Sequence, residues 1–267
     1  MTNADTLDRL LLKVKWAKQH IDKLHAVIAA FPAPSGDDSK FIRFKDDPHI
    51  QESIPYVHHV PEIPPEISLI AGDILFNLRS ALDHLACHLM TVGGGTVTTQ
   101  TCFPIAQTAP EYKSVKFRRK IEGIRPTAVK LIDAFKPYKG GYFLLWELHE
   151  LNKIDKHRLL LTACSTACGQ SLTPSERAIY EQTITWPQAQ PGFVRRTFKV
   201  LPRIPMKTGY EFLPVPCSEM DQEMQFLFDI AFDESKIIEC KSVLETLYEM
   251  SERVFDIIEC FSAAGEL

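Results

Sequence analysis

The sequence predicts an α+β fold, a helical bundle core with an antiparallel β-sheet in the C-terminal half and a closing C-terminal helix. Three observations carry this. Long segments with apolar residues at helical spacing fill the first part of the chain. Several β-like runs separated by turn residues lie between Arg158 and Phe232, and a last helical run closes the chain.

The first helix is predicted from Ala4 to about Phe31, where Leu7, Leu10, Leu11, Val14, Ala17, Ile21, Leu24 and Ile28 recur at helical spacing. APSGDD supplies the turn chemistry that ends it, and two short extended pieces are expected at Phe41–Phe44 and Ile54–Val60. The prolines of VPEIPPE lead into a central helix from about Pro65 to Met90. Proline is tolerated in a first helical turn because its missing N–H would have no partner there. Gly93–Gly95 lacks the Lys and Ser/Thr of a phosphate loop and reads as that helix's terminator. Helical pieces are expected at Ala109–Ile121, Pro126–Ala134 and Phe143–Lys156. The β-like runs are LLLTAC, AIYEQTITW, FVRRTFKV, YEFLPV and MQFLFDIAF, and the closing helix is predicted over Lys236–Ser262.

A single domain over residues 1–267 is the preferred organisation, helical over about 1–157 and 236–267 and β-rich over about 158–235. Two domains divided near Arg158 are the alternative.

With 45% hydrophobic and 24% charged residues the 267-residue chain is ordinary for a globular protein. A net charge of −4 gives no global attraction to nucleic acid or anionic membrane, although a local basic cleft remains compatible with it. No run approaches eighteen uncharged apolar residues, and the N-terminus lacks the pattern of a signal peptide. A cytoplasmic protein with no membrane partner is the expectation. The seven cysteines are odd in number and scattered, and read as reduced thiols; Cys164 and Cys168 have neither zinc-knuckle nor thioredoxin-type spacing.

The central helix has two different sides. Ile67, Ile70, Ala71, Ile74, Leu75, Leu78, Ala81, Leu82, Leu85 and Leu89 form one broad core face. Opposite it, Asp73, Asn77, Ser80, His84 and His88 make a polar stripe on one flank, while Arg79 and Asp83 lie on the other, with Phe76 and Cys87 between. A plain solvent face would carry Lys and Glu there. This side is therefore expected to be at least partly covered, by another part of the chain or a second subunit, and its polar groups to form a hydrogen-bond network or a site.

Three chemistries fit it. His84 and His88, four apart, could hold a metal with a third ligand from His149, Asp155, His157 or Asp73; the set considered is His84, His88 and His157. Arg79 and His84, in RSALDH, pair a phosphate-stabilising guanidinium with an acid/base imidazole, a minimal kit for metal-independent RNA cleavage. Five helical residues set these two about 140° apart, so they would flank a groove, such as one between two copies of the helix. In the structural reading Arg79 pairs with Asp83 at i,i+4 and the histidines are satisfied at the core edge.

A second polar cluster, WELHELNKIDKHR, places His149, Asn152, Asp155, Lys156, His157 and Arg158 at a helix end. Cations there favour the helix dipole, and the side chains are expected to form a tight junction reaching the central helix. KFRRK (Lys116–Lys120) is a basic run that could meet phosphate. No nucleophile elbow, phosphate loop or dinucleotide-binding turn is present, and no cofactor is expected.

GDILFNLRSALDHLACHL together with LNKIDKHRLLL resembles the shared core of a group of uncharacterised bacterial proteins. RSALDH is also similar to the R-x4-6-H motif of the HEPN superfamily, whose members are helical, usually dimeric, and include metal-independent ribonucleases of toxin–antitoxin and phage-defence systems. The resemblance implies a homodimer acting on RNA, by binding or cleavage, with Arg79 stabilising phosphate, His84 as acid/base and Asp83 orienting Arg79 or the neighbouring subunit. Asn77, Asn152, Asp155, Lys156, His157 and Arg158 would then serve binding. The likeness covers the helical part; Ser80 stands where many members carry Asn or a similar residue, and the β-rich stretch after Arg158 lies outside that fold. The alternative from another class is a non-catalytic binding or assembly protein, and a third reading is a metal-dependent hydrolase.

Overall fold

The computed structural model describes residues 3–31, 41–47, 52–160, 162–171, 198–200, 204–211, 215–216, 224–234 and 236–267. Its elements run α1 (Asn3–Ala30), β1 (Ile42–Asp47), β2 (Glu52–Val57), α2 (Pro65–Val92), α3 (Ala109–Lys113), α4 (Val115–Arg118), α5 (Pro126–Ala134) and α6 (Phe143–Asp155). There follow β3 (Thr162–Ser171), β4 (Phe198–Val200), β5 (Ile204–Pro205), β6 (Val215–Pro216), β7 (Met224–Glu234), β8 (Ile238–Ser242) and α7 (Val243–Ala263). The class is α+β, as the patterning predicts.

Two compact units emerge. The first comprises residues 1–31, 64–162 and 232–267, and the second residues 32–63 and 163–231. The first hairpin thus clusters with the later strands, whereas the sequence reading groups it with the helices.

In the first unit α2 is the central helix, packed against α1, α6 and α7. Its predicted core face is the observed one: Ile74, Leu75, Leu78, Leu82 and Leu85 are fully buried. Each such side chain contributes about 1.5–3 kcal/mol by leaving water. Val14, Ala17 and Leu24 of α1, Leu151 of α6, and Leu247, Val254 and Phe261 of α7 complete the core. α1 runs antiparallel to α2, since Lys13 Nζ meets Asn77 Oδ1 (3.1 Å) and Lys23 Nζ meets Glu66 Oε1 (3.3 Å) at the opposite end.

α2 starts with Pro65 in its first turn and stops at the triple glycine. Gly94 takes φ 81°, and the N–H groups of Gly94 and Gly95 donate to the carbonyls of Thr91 (3.1 Å) and Met90 (2.9 Å). This is the double closure of a Schellman motif, and the left-handed residue in it favours glycine.

Two predicted helices differ from those observed. Ala109–Ile121 is broken at Ser114, whose extended backbone (ψ 151°) ends α3 and whose hydroxyl accepts from Phe117 N to start α4. Lys236–Ser262 begins as β8, and the helix starts only at Val243 because Ser242 caps it by accepting from Glu245 N.

In the second unit β1 and β2 form an antiparallel hairpin with Ile42 opposite Val57 and Asp47 opposite Glu52, and β6 pairs with β2. β3 pairs antiparallel with β4 and β5 and neighbours β7. The predicted run AIYEQTITW lies outside the described residues, as does most of FVRRTFKV. Among the described residues no helix is long and apolar enough to cross a membrane.

Candidate functional site

The polar residues of α2 divide into a closed flank and an open stripe. The closed flank faces α6. Antiparallel packing there sets Gly72 against Asp155 and Arg79 against His149, so the stripe His149–Asn152–Asp155 of α6 follows the row Gly72–Arg79–Asp83 of α2. A Cβ at position 72 would overlap the Asp155 carboxylate, so the carboxylate sits this close to α2 only with glycine there. The predicted junction between the two motifs is thus present.

Arg79 is the centre of this seam. It is 6% exposed, and all three of its nitrogens are engaged. Nη1 donates to Asp83 Oδ1 (2.6 Å), Nη2 to the carbonyl of Phe103 (2.8 Å) and Nε to His149 Nδ1 (3.3 Å). Asp83 Oδ1 also accepts from Phe103 N (2.9 Å). The ion pair therefore holds both backbone groups of Phe103, much as a neighbouring strand would, and pins the CFPI loop whose Phe103 ring is fully buried. His149 accepts at Nδ1, so its proton sits on Nε2. Burial first, then the nearby cations Arg79, Lys153, Lys120 and Lys156, lower its pKa to about 3.

Asp155 at the far end of the seam is held above the usual carboxylate range, by burial and then by Asp73. Asn152 is buried and its Oδ1 has no protein partner. Lys156 is exposed beyond the end of α6.

The open stripe faces outward. Asp73, Phe76 and His84 are exposed, and Leu69 joins them one turn before Asp73. Asn77 is buried under α1, with Nδ2 donating to Asp73 O (2.7 Å) and Oδ1 accepting from Lys13. His88 is partly covered, its Nε2 has no partner, and burial lowers its pKa. Cys87 is a free thiol whose pKa burial raises.

Arg79 and His84 do not converge within the chain: one is sealed in the seam and the other stands in solvent. Among the described residues no group of three or more His, Cys, Asp or Glu side chains is placed to hold a metal, so His84, His88 and His157 do not form one. Within KFRRK, Arg118 is turned inward onto Asp133 (2.8 Å), beside a Tyr112 hydroxyl donating to the same oxygen (2.6 Å). Lys120 lies over the Phe117 ring.

Another face of α6 borders a cleft of about 780 Å³, which His157 and Arg158 line. Arg158 makes a two-pronged bond to Glu234 (2.9 and 2.8 Å), tying the end of α6 to β7. Sequence reasoning missed further cleft residues, among them Gln107, Lys139, Trp146 and Lys236, because they are scattered along the chain. Its one local signal was the tryptophan opening WELHELNK. Compared with protein-family models, curated proteins and solved structures, the chain matches none.

Proposed function

We propose that this chain is a non-catalytic assembly protein that pairs with a second copy of itself across the open stripe of α2. The observation that carries the reading is the contrast in α2: the guanidinium needed for phosphate chemistry is locked at all three nitrogens, while large apolar side chains stand in water beside it. Phe76 is 49% exposed, Trp16 on α1 is 54% exposed, and Leu12 and Leu69 are exposed with them. Lys13, bonded to Asn77 and 5.6 Å above the Phe76 ring, holds this stretch of α1 against the stripe, with Trp16 one turn further along. Large apolar side chains left exposed on neighbouring helices in this way favour an interaction site.

The stripe is also self-complementary in hydrogen bonding, an acceptor carboxylate at one end and an imidazole that can donate at the other. Asp73 and His84 are eleven residues, about 16 Å, apart on α2. A twofold axis between them sets Asp73 of one copy opposite His84 of the other, the arrangement an isologous contact requires. Light scattering with size-exclusion chromatography tests the reading. Wild type is expected at twice the chain mass, and Phe76→Asp with Trp16→Asp at the chain mass with unchanged helical circular dichroism. A wild-type monomer at high micromolar concentration refutes it.

RNA cleavage is the second reading, favoured by one observation: the His84 ring of the R-x4-H motif is open to a substrate. Its Arg79 would first have to leave Asp83, His149 and Phe103. Cleavage of RNA in EDTA by wild type, lost in His84→Ala, would establish it in place of the assembly reading; equal background from both proteins leaves assembly standing.

A further inference from the structure

The geometry points to the cleft beside α6 as a binding site for a small organic anion, a phosphoryl or carboxylate group carried on an apolar body. This rests on the donors and acceptors of the cleft and is independent of the α2 stripe.

Two of the acids in the cleft wall are already matched. Glu150 accepts from Lys153 at both oxygens (3.0 Å each), and Glu234 is held by the fork of Arg158. Lys139 and Lys236 have no ion pair within 4 Å among the described residues, and both are exposed. Lys139 is nonetheless positioned, because its Nζ sits 4.4 Å from the centroid of the Trp146 ring.

Gln107 adds a neutral donor. Trp146 Nε1 donates to Gln107 Oε1 (3.0 Å). Indole N–H can only donate, so the amide orientation is fixed and the Gln107 Nε2 protons are left for another partner. With the exposed His157 ring, the cleft offers four donor groups against one unmatched acid, Asp233.

A site rich in donors and poor in acceptors recognises an anion. Ile154 and Ile237 also line the cleft and give an apolar body something to bury against. The volume of about 780 Å³ falls in the range of small-molecule sites, roughly 300–1,000 Å³. The Arg158–Glu234 fork keeps the wall from β7 fixed against α6, so the donors need little reorganisation to meet a ligand.

The test uses full-length protein and the indole N–H resonance of Trp146, assigned with Trp146→Phe. Phenyl phosphate, benzoate, inorganic phosphate and benzylamine are the probes. Phenyl phosphate or benzoate is expected to shift that resonance saturably at millimolar or lower concentration, and the tighter of the two identifies the headgroup. Lys139→Glu and Lys236→Glu, both at exposed positions, are each expected to weaken binding at least about tenfold while leaving thermal unfolding unchanged.

Any of the following results would overturn the proposal. One is no saturable shift with either aromatic anion. Another is binding of benzylamine as tight as that of the anions, or binding unchanged in both lysine variants. The last is inorganic phosphate binding as tightly as phenyl phosphate, which would mean an adventitious ion only.

Discussion

The two flanks of α2 carry similar residue types and meet opposite fates. On the α6 side, Arg79, Asp83 and His149 close on one another and on the Phe103 backbone, and Gly72 admits Asp155. On the outward side, Asp73, Phe76 and His84 remain exposed. A histidine and an acid on a helix therefore say little about function by themselves. What separates structural polarity from surface available to a partner is the element opposite.

The largest expected effect that sharpens this contrast is on stability. Arg79→Met removes three hydrogen bonds and leaves the Asp83 carboxylate without its ion-pair partner, which should cost about 3–5 kcal/mol in urea denaturation. Arg79→Lys should recover little, since an ammonium lacks the planar fork. At protein concentrations low enough to keep the chain monomeric, Phe76→Ser and His84→Ala on the open side should each stay within about 0.5 kcal/mol of wild type. If Phe76→Ser costs as much as Arg79→Met, the distinction between the flanks fails.

Next in size is the glycine contact. Gly72→Val has to push Asp155 off α2 and should cost about 1–3 kcal/mol, whereas Asp73→Ala, one residue on and exposed, should cost almost nothing. Equal losses from the two would show that the seam is looser than its geometry implies.

The smallest effect is a pH dependence. An unfolded His149 takes up a proton below about pH 6.5. The folded site refuses it until about pH 3. The unfolded state then binds more protons, so stability falls as pH drops through this interval. His88, also lowered by burial, acts in the same direction. Asp155 and Glu147, both raised chiefly by burial, act in the opposite sense as the carboxylate range is entered. The fall should therefore be clearest between pH 7 and 5, and His149→Gln should flatten it in urea midpoints measured at those two values.

The sequence made the helices legible where periodicity was long. The core face of α2 and the start of α6 at Phe143 were readable because many residues agree on one phase. The junction of WELHELNKIDKHR with the central helix was also readable, since Asn, Asp and His at a helix end seldom sit idle. β8 was hidden because Ile237, Val243, Leu244 and Leu247 sustain a helical phase across Ser242, where one capping hydroxyl decides the boundary. The partner of Arg79 was half legible: Asp83 at i,i+4 is local, but Phe103 and His149 are 24 and 70 residues away, and nothing in spacing announces them. The cleft was illegible for the same reason.

The packing of α1 on α7 has a consequence for synthesis. These helices lie more than 200 residues apart, yet they share the core around α2. At roughly 5–20 residues per second, a ribosome finishes α1 on the order of ten seconds or more before α7 exists. Until then the apolar residues that α7 will cover, on α1 and on α2, stand bare. The nascent chain must carry that surface through translation of everything between α1 and α7, so that interval is when this protein is most exposed to aggregation.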